Sequence, residues 1–399
     1  MAPSSRQPGP PRPAPWDSVS PLSGDGDPVN VPLLDLVAQH RTIRDEVLPA
    51  LLSVVESQQF VMGPPVLQLE AAVARLTHAK HGIACASGTD ALLLPLKALD
   101  LEPGDEVITT PFTFFATAGT IHNAGGTPVF VDIEPDTFNI DPAAVEAAIT
   151  PRTRAILPVH LYGQMADMER LLAIARAHAV KIVEDAAQAI GARRSIDGEW
   201  RMVGELGWAT GFSFFPSKNL GAWGDGGMMV TSNDSLAERL RRLRLHGGAK
   251  QYHHDEVGTN SRLDSVQAAV LLAKLPHLAA WSAQRREHAA YYTRGLADLP
   301  AVRPPAVDPA NEHIFHQYTV RVERRDQLQA HLKSQGIGNA VYYPVPLHLQ
   351  PCFSHLGYRP GRLPESERAS GEVLSLPVYP ELTRAQLDCV IETIRGFYR

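Results

Sequence analysis

Between residue 80 and about 230, seven short apolar runs alternate with helix-length amphipathic patterns, and a less regular mixture of short strands and helices follows. Continuous apolar strands separated by helices predict an α/β fold: a large domain with a mainly parallel seven-stranded sheet covered on both faces, plus a smaller α+β C-terminal domain. A third observation agrees, since 399 residues with 44% apolar content exceed one typical domain of roughly 100 to 200 residues and can fill two cores.

Taken in chain order, residues 1–29 carry eight prolines among Gly, Ser and Asp. With no periodicity that could bury a face, they read as a disordered extension outside the fold. Val47, Leu48, Leu51, Leu52 and Val55 then recur at helical spacing before a turn at Met62-Gly63-Pro64-Pro65. Strands are expected at 82–86, 106–110, 128–132, 155–159, 181–184, 211–215 and 227–231, with helices at 90–99, 142–149 and 167–179 between them. Residues 234–250 predict a helix with Leu236, Leu240 and Leu243 inward and Arg239, Arg241, Arg242 and Arg244 mostly outward. Such a basic face is either an anion site or an ordinary solvated surface. Another helical pattern runs from Leu263 to Leu278. These readings divide the chain into a large domain over 30–250 and a small one over 251–399.

Composition excludes several function classes. With 37 basic against 43 acidic side chains, a net charge of -6 offers no field to attract nucleic acid. Cys85, Cys352 and Cys389 are odd in number, far apart and without CxxC spacing, so neither a disulfide framework nor a metal site is expected, and a reducing cytoplasm fits. No apolar run reaches the roughly 18 residues of a membrane span, and no secretory signal is expected at the N-terminus.

Three runs carry chemistry. Ser87-Gly88-Thr89-Asp90 follows a strand and opens a helix, where free N–H groups and hydroxyls either cradle a phosphate or simply cap the helix. Glu184 and Asp185 end an apolar strand, where a buried carboxylate needs a cationic partner such as a protonated ring nitrogen, unless Asp185 only caps the next helix. Lys218 follows another buried strand amid aromatics and glycines in Phe212-Ser213-Phe214-Phe215-Pro216-Ser217-Lys218-Asn219. Desolvation there would make its amine a nucleophile for an aldehyde; the alternative is a lysine reaching back to solvent. No GxxxxGK[ST] or GxGxxG run competes.

Together SGTDAL, PFTFFATA, PVHLYGQMADM, EDAAQA, FSFFPSKNLGAWGDGG, GTNSRLDSVQAA and YYPVPLHLQP resemble the DegT/DnrJ/EryC1/StrS family of nucleotide-sugar aminotransferases dependent on pyridoxal 5'-phosphate. The resemblance covers about residues 31–399 in unbroken order. It implies the fold-type I aminotransferase architecture and a homodimer with active sites between subunits. It makes Lys218 the Schiff-base lysine and Asp185 the partner of the cofactor's ring nitrogen, with Gln188 beside the ring and Phe114 stacked on it. Gly88, Thr89 and Ser213 would hold the phosphate together with Asn260 of the second subunit. Arg262, Tyr342 and Tyr343 would approach the substrate, while His160 either touches the cofactor or substrate or is a satisfied structural histidine.

The activity so implied is transfer of an amino group from L-glutamate to a keto-sugar nucleotide. RLDSVQAAVLLAKLPH and PVPLHLQP are most similar to members that aminate C3, especially those acting on UDP-linked 2-acetamido-3-keto-hexuronate. That branch carries His-Tyr-Pro where this chain has Tyr342-Tyr343-Pro344, and a tyrosine supplies no charge to a uronic carboxylate, so a dTDP-linked 3-keto-6-deoxyhexose stays open. Three other readings compete. Dehydratase relatives have His in place of Lys218; some relatives aminate cyclic ketones without a nucleotide; and a regulatory, non-enzymatic protein would need none of Lys218, Asp185, Gln188 and Ser213.

Overall fold

A computed structural model describes residues 30–248, 250 and 252–399. The expected proline-rich extension, residues 1–29, lies outside the described residues. All seven expected strands form: β1 (His81–Cys85), β2 (Glu106–Thr109), β3 (Thr127–Phe130), β4 (Thr153–Leu157), β5 (Lys181–Asp185), then, after the ribbon β6 (Arg193–Ile196) and β7 (Glu199–Met202), β8 (Ala209–Ser213) and β9 (Gly227–Thr231). Their order in the sheet is β1-β9-β8-β5-β4-β2-β3, and only β9 runs against the rest. Neighbouring residues of one strand enter different cores, as the pleat requires. Ile108, Ile182 and Met228 join one core with α2 (Pro64–Leu76), α6 (Met168–His178) and α8 (Ser265–Lys274). Val107 and Val183 face α3 (Gly88–Lys97) and α4 (Ala116–Asn123), while Met229 faces α7 (Asp234–Leu243).

Three expectations change. First, α8 buries Ala268 and Leu271 in the sheet's core and packs on α1 (Leu36–Ser57) and α2, so the chain returns to the large domain after residue 250. The second core instead gathers Ala289, Tyr292 and Leu296 of α9 (Leu278–Leu296) with residues up to Ile394 and, from the other end, Val31. It covers a small antiparallel sheet, ordered Val302–Arg303, Tyr318–Val322, Val373–Leu376. The domain boundary therefore lies within α9.

Second, α1 turns Ile43, Val47 and Val54 inward, whereas Leu52 and Val55 are exposed, as are Phe60, Val61 and Leu67 farther along the chain. Third, α7 stops at Leu243, and Arg244 points in rather than out. Its guanidinium is 3% exposed, pairs with Glu70 of α2 and donates to the Ala84 carbonyl at 2.7 Å. Arg239 pairs with Asp100 and Glu256, and Arg242 with Glu238, so this basic face is balanced by carboxylates rather than free for an anion. Among the described residues no helix is long and apolar enough to cross a membrane.

Glu70→Ala is expected to destabilise the fold by about 3–5 kcal/mol, because it leaves Arg244 buried without its carboxylate. Chemical denaturation measures this; an unchanged midpoint would contradict the pairing.

Candidate active site

Because β2, β4, β5 and β8 run parallel, their carboxyl ends share one edge of the sheet, the position where such sheets bind ligands. Asp185 ends β5 and is 5% exposed. Its Oδ2 accepts from Thr117 Oγ1 at 2.7 Å, and its Oδ1 from the Ala187 N–H at 3.2 Å. Burial pushes its carboxyl pKa up, while these two hydrogen bonds and the Lys218 charge pull against that rise. Both oxygens thus meet neutral donors, and no lysine or arginine among the described residues pairs with them directly.

Lys218 stands on the turn after β8, where its N–H donates to the Phe215 carbonyl at 2.8 Å. Its side chain is half-buried, and loss of solvent lowers the amine pKa to about 8 against the pull of Asp185. Asp185 and Lys218 thus lie near enough for each charge to act on the other, yet they form no ion pair.

The third group lies at the start of α3. Ser87 Oγ caps the helix by accepting from the Asp90 N–H at 3.2 Å, which leaves the Gly88 and Thr89 N–H groups without partners inside the helix. Ser213, at the end of β8, sits against Gly88 so closely that a Cβ there would lie 2.5 Å from Ser213 Cβ. Only glycine lets the hydroxyl and the free N–H groups meet at one point, an arrangement suited to a phosphate.

Gln188 is fixed at both ends: its Oε1 accepts from the Tyr162 N–H at 2.7 Å, and its Nε2 donates to Tyr343 Oη at 3.1 Å. Tyr343 is thus tied to Gln188, and burial, followed by the nearby charge of Asp185, raises its phenol pKa. Phe114 is 59% exposed, its ring 6.4 Å from that of Tyr343. Tyr342 adjoins Tyr343, and its carbonyl accepts from Tyr162 Oη. Asn260 is exposed and Arg262 half-buried, on either side of Ser261, whose Oγ donates to Asp90 at 2.7 Å beside the start of α3.

His160 requires a correction. It is fully buried, its Nδ1 accepts from the Ala166 N–H at 3.1 Å, and its Nε2 therefore carries the proton it donates to Glu184 at 2.7 Å. With both nitrogens engaged it has nothing to offer a substrate; it and Glu184 support β5 from within. Glu184 is likewise saturated, taking the Gly207 N–H and the Thr210 hydroxyl, each at 2.8 Å. Sequence reasoning missed Thr117, although it lies within PFTFFATA and four residues after Thr113, whose hydroxyl it meets at 2.9 Å. It also gave no role to Asn219, although that residue follows Lys218 in the quoted run, nor to His316, which meets Asn219 only through the fold.

These residues fit pyridoxal 5'-phosphate. The carboxylate that lacks a cation suits a protonated ring nitrogen, the amine suits an aldehyde, and the cradle at Gly88 suits a phosphate. Comparison with known proteins agrees. The family model described as "DegT/DnrJ/EryC1/StrS aminotransferase family" matches residues 41–395. A pleiotropic regulatory protein of Geobacillus stearothermophilus is 55% identical over 374 residues, covering 93% of this chain and 99% of that protein. A UDP-N-acetyl-3-dehydro-alpha-D-glucosamine 3-aminotransferase of Acidithiobacillus ferrooxidans is 47% identical, covering 92% and 97%. The crystal structure of DesV of S. venezuelae in complex with a ketimine intermediate superposes with a TM-score of 0.89 at 45% identity, covering 93% of this chain and 99% of that one.

Thr117→Val removes one of the two bonds that hold Asp185 ionised, so its pKa rises further and the ionised form is lost at a higher pH. The acid limb of the pH–rate profile is expected to move upward, with activity at neutral pH falling at least about 10-fold for a lost bond to a charged group. An unshifted limb would contradict this role.

Proposed function

The chain belongs to the DegT/DnrJ/EryC1/StrS aminotransferase family, whose cofactor is pyridoxal 5'-phosphate, and from that premise we propose that it transfers the amino group of L-glutamate to C3 of a nucleotide-linked keto sugar. The observation that carries this reading is that a half-buried amine, Lys218, and a buried carboxylate, Asp185, act on each other's charge without forming an ion pair, at the ends of the neighbouring strands β5 and β8, where Ser213 lies against Gly88. The cofactor supplies an electron sink that stabilises charge when a C–H bond next to nitrogen breaks.

The protein's own groups then divide the work. Asp185 keeps the proton on the ring nitrogen, which maintains the sink. Gly88, Thr89 and Ser213 would hold the phosphate, and Gln188 and Phe114 would bound the ring. Lys218, with a pKa near 8, changes protonation state close to working pH. Its amine can take the proton from the α carbon of glutamate in one half-reaction and deliver one to C3 of the sugar in the other. Arg262, Tyr342 and Tyr343 are the groups we assign to the sugar nucleotide.

Amination at C3 is supported by the name of the Acidithiobacillus relative. The regulatory name of the Geobacillus relative gives no reason for Lys218, Asp185, Gln188 and Ser213 to meet at one edge. We read the exposed apolar side chains of Leu52, Val55, Phe60, Val61 and Leu67 as part of a homodimer face, in an assembly where the exposed Asn260 would complete the partner's phosphate site. Three free thiols, with Cys352 exposed, fit a reducing cytoplasm.

Incubation with L-glutamate and a panel of 3-keto and 4-keto sugars linked to UDP or dTDP is expected to yield a 3-amino sugar, identified by mass spectrometry and NMR. Lys218→Ala should abolish turnover with the fold retained. Product formed only at C4 would overturn the regiochemistry, and no amination of any sugar would overturn the nucleotide-sugar reading.

A further inference from the structure

Residues 313–317 connect Asn311–Glu312 to the strand Tyr318–Val322, and they thread past the turn that carries Lys218. His316 is 5% exposed, and its Nδ1 lies 2.9 Å from Asn219 Oδ1. A carboxamide oxygen only accepts, so Nδ1 carries the proton and Nε2 is left as an acceptor, which Gln317 Nε2 faces at 3.5 Å. Asn219 is 4% exposed, and its Nδ2 donates to the Ile314 carbonyl at 3.3 Å, which fixes the end of the amide that faces His316. Asn219 follows Lys218 directly, so their Cα atoms are about 3.8 Å apart.

The segment that bears His316 is itself held from both domains. Arg285 of α9, 4% exposed, places Nη1 on the carbonyls of Val378 at 2.6 Å, Phe315 at 3.1 Å and His316 at 3.4 Å. The ring of His313 stacks on that of Phe315 at 4.0 Å, and its Nδ1 accepts from the Phe315 N–H at 2.9 Å. On the large-domain side the Ile314 N–H donates to the Gly163 carbonyl at 3.0 Å, and a Cβ on Gly163 would lie only 3.0 Å from the His316 backbone nitrogen.

We propose that His316 is a positioning residue for amino transfer: it anchors Asn219, and with it the turn bearing Lys218, so that the reacting amine keeps its register with Asp185. Arg285 makes that register depend on the small domain as well. Burial, reinforced by the charges of Lys218 and Arg285 and by His313, keeps the His316 imidazole far below its usual range and hence neutral. A neutral ring keeps one hydrogen-bond pattern and adds no second cation beside the amine.

The inference rests on Lys218 being the reacting amine, so its test must separate the two. Wild type, His316→Leu, His316→Gln and Asn219→Leu are loaded with pyridoxal 5'-phosphate, and their visible absorbance is titrated against pH alongside steady-state kinetics. If the wild type takes up cofactor without a visible band, the aminotransferase reading itself fails. With the band present, His316→Leu should retain cofactor but shift the pH midpoint, and kcat should fall by about 10- to 100-fold with KM for the sugar little changed, as displacement of a reacting group produces. Asn219→Leu should match it, and the double variant should be no worse than either single one. Glutamine can donate to Asn219 Oδ1 and should restore most of kcat. An unchanged midpoint and kcat in His316→Leu, or additive effects in the double variant, would overturn the proposal. Should His316→Leu not fold, His316→Gln and Asn219→Leu decide by the same readouts.

Discussion

The constraint on which the site depends is the opposition of two desolvated ionisable groups that act on each other's charge yet do not pair. Asp185 is buried, with only a hydroxyl and an N–H on its oxygens, and Lys218 is desolvated enough to bring its pKa to about 8. A charge held this way is costly unless a partner of opposite sign completes it. Direct contact would quench both groups. A protonated ring nitrogen at Asp185 and an aldehyde at Lys218 satisfy both needs, so the arrangement amounts to a specification for the cofactor.

The parallel sheet makes that opposition possible. Strands that run the same way deliver their carboxyl ends to one edge, and β5 and β8 are direct neighbours there. Asp185 pairs in register with Gly211, two residues before Ser213, and the turn that follows carries Lys218. Helix α3 crosses the same edge with free N–H groups, while α4 brings Thr117 onto the carboxylate. Behind them His160 and Glu184 form a saturated buried pair, which fixes the strand without spending a reactive group. The small domain reaches this edge through Tyr343 on Gln188 and through His316 on Asn219, so both domains hold the residues around Asp185 and Lys218.

Much of this was legible in the chain. All seven strands announce themselves because a sheet covered on both faces needs continuous apolar runs, and Lys218, Asp185, Gly88 and Ser213 lie at the ends of those runs. What stayed hidden depends on contacts distant in sequence. Arg244 looks like the fourth arginine of a solvated face, yet the chain leaves the helix at Leu243 and turns it onto Glu70, 174 residues away. His160 sits in a suggestive motif but is consumed by Glu184. The boundary near residue 250 failed because the helix at Ser265–Lys274 is apolar enough to serve either core, and only packing assigns it. Thr117 and His316 are ordinary polar residues until folding brings Thr117 onto Asp185 and His316 onto Asn219, the residue after Lys218.

The most direct measurement of the central claim is chemical. The protein loaded with pyridoxal 5'-phosphate is reduced with borohydride, digested, and its peptides mapped by mass spectrometry. The account requires the pyridoxyl group on Lys218 alone; a label on another lysine, or none on Lys218, would contradict it.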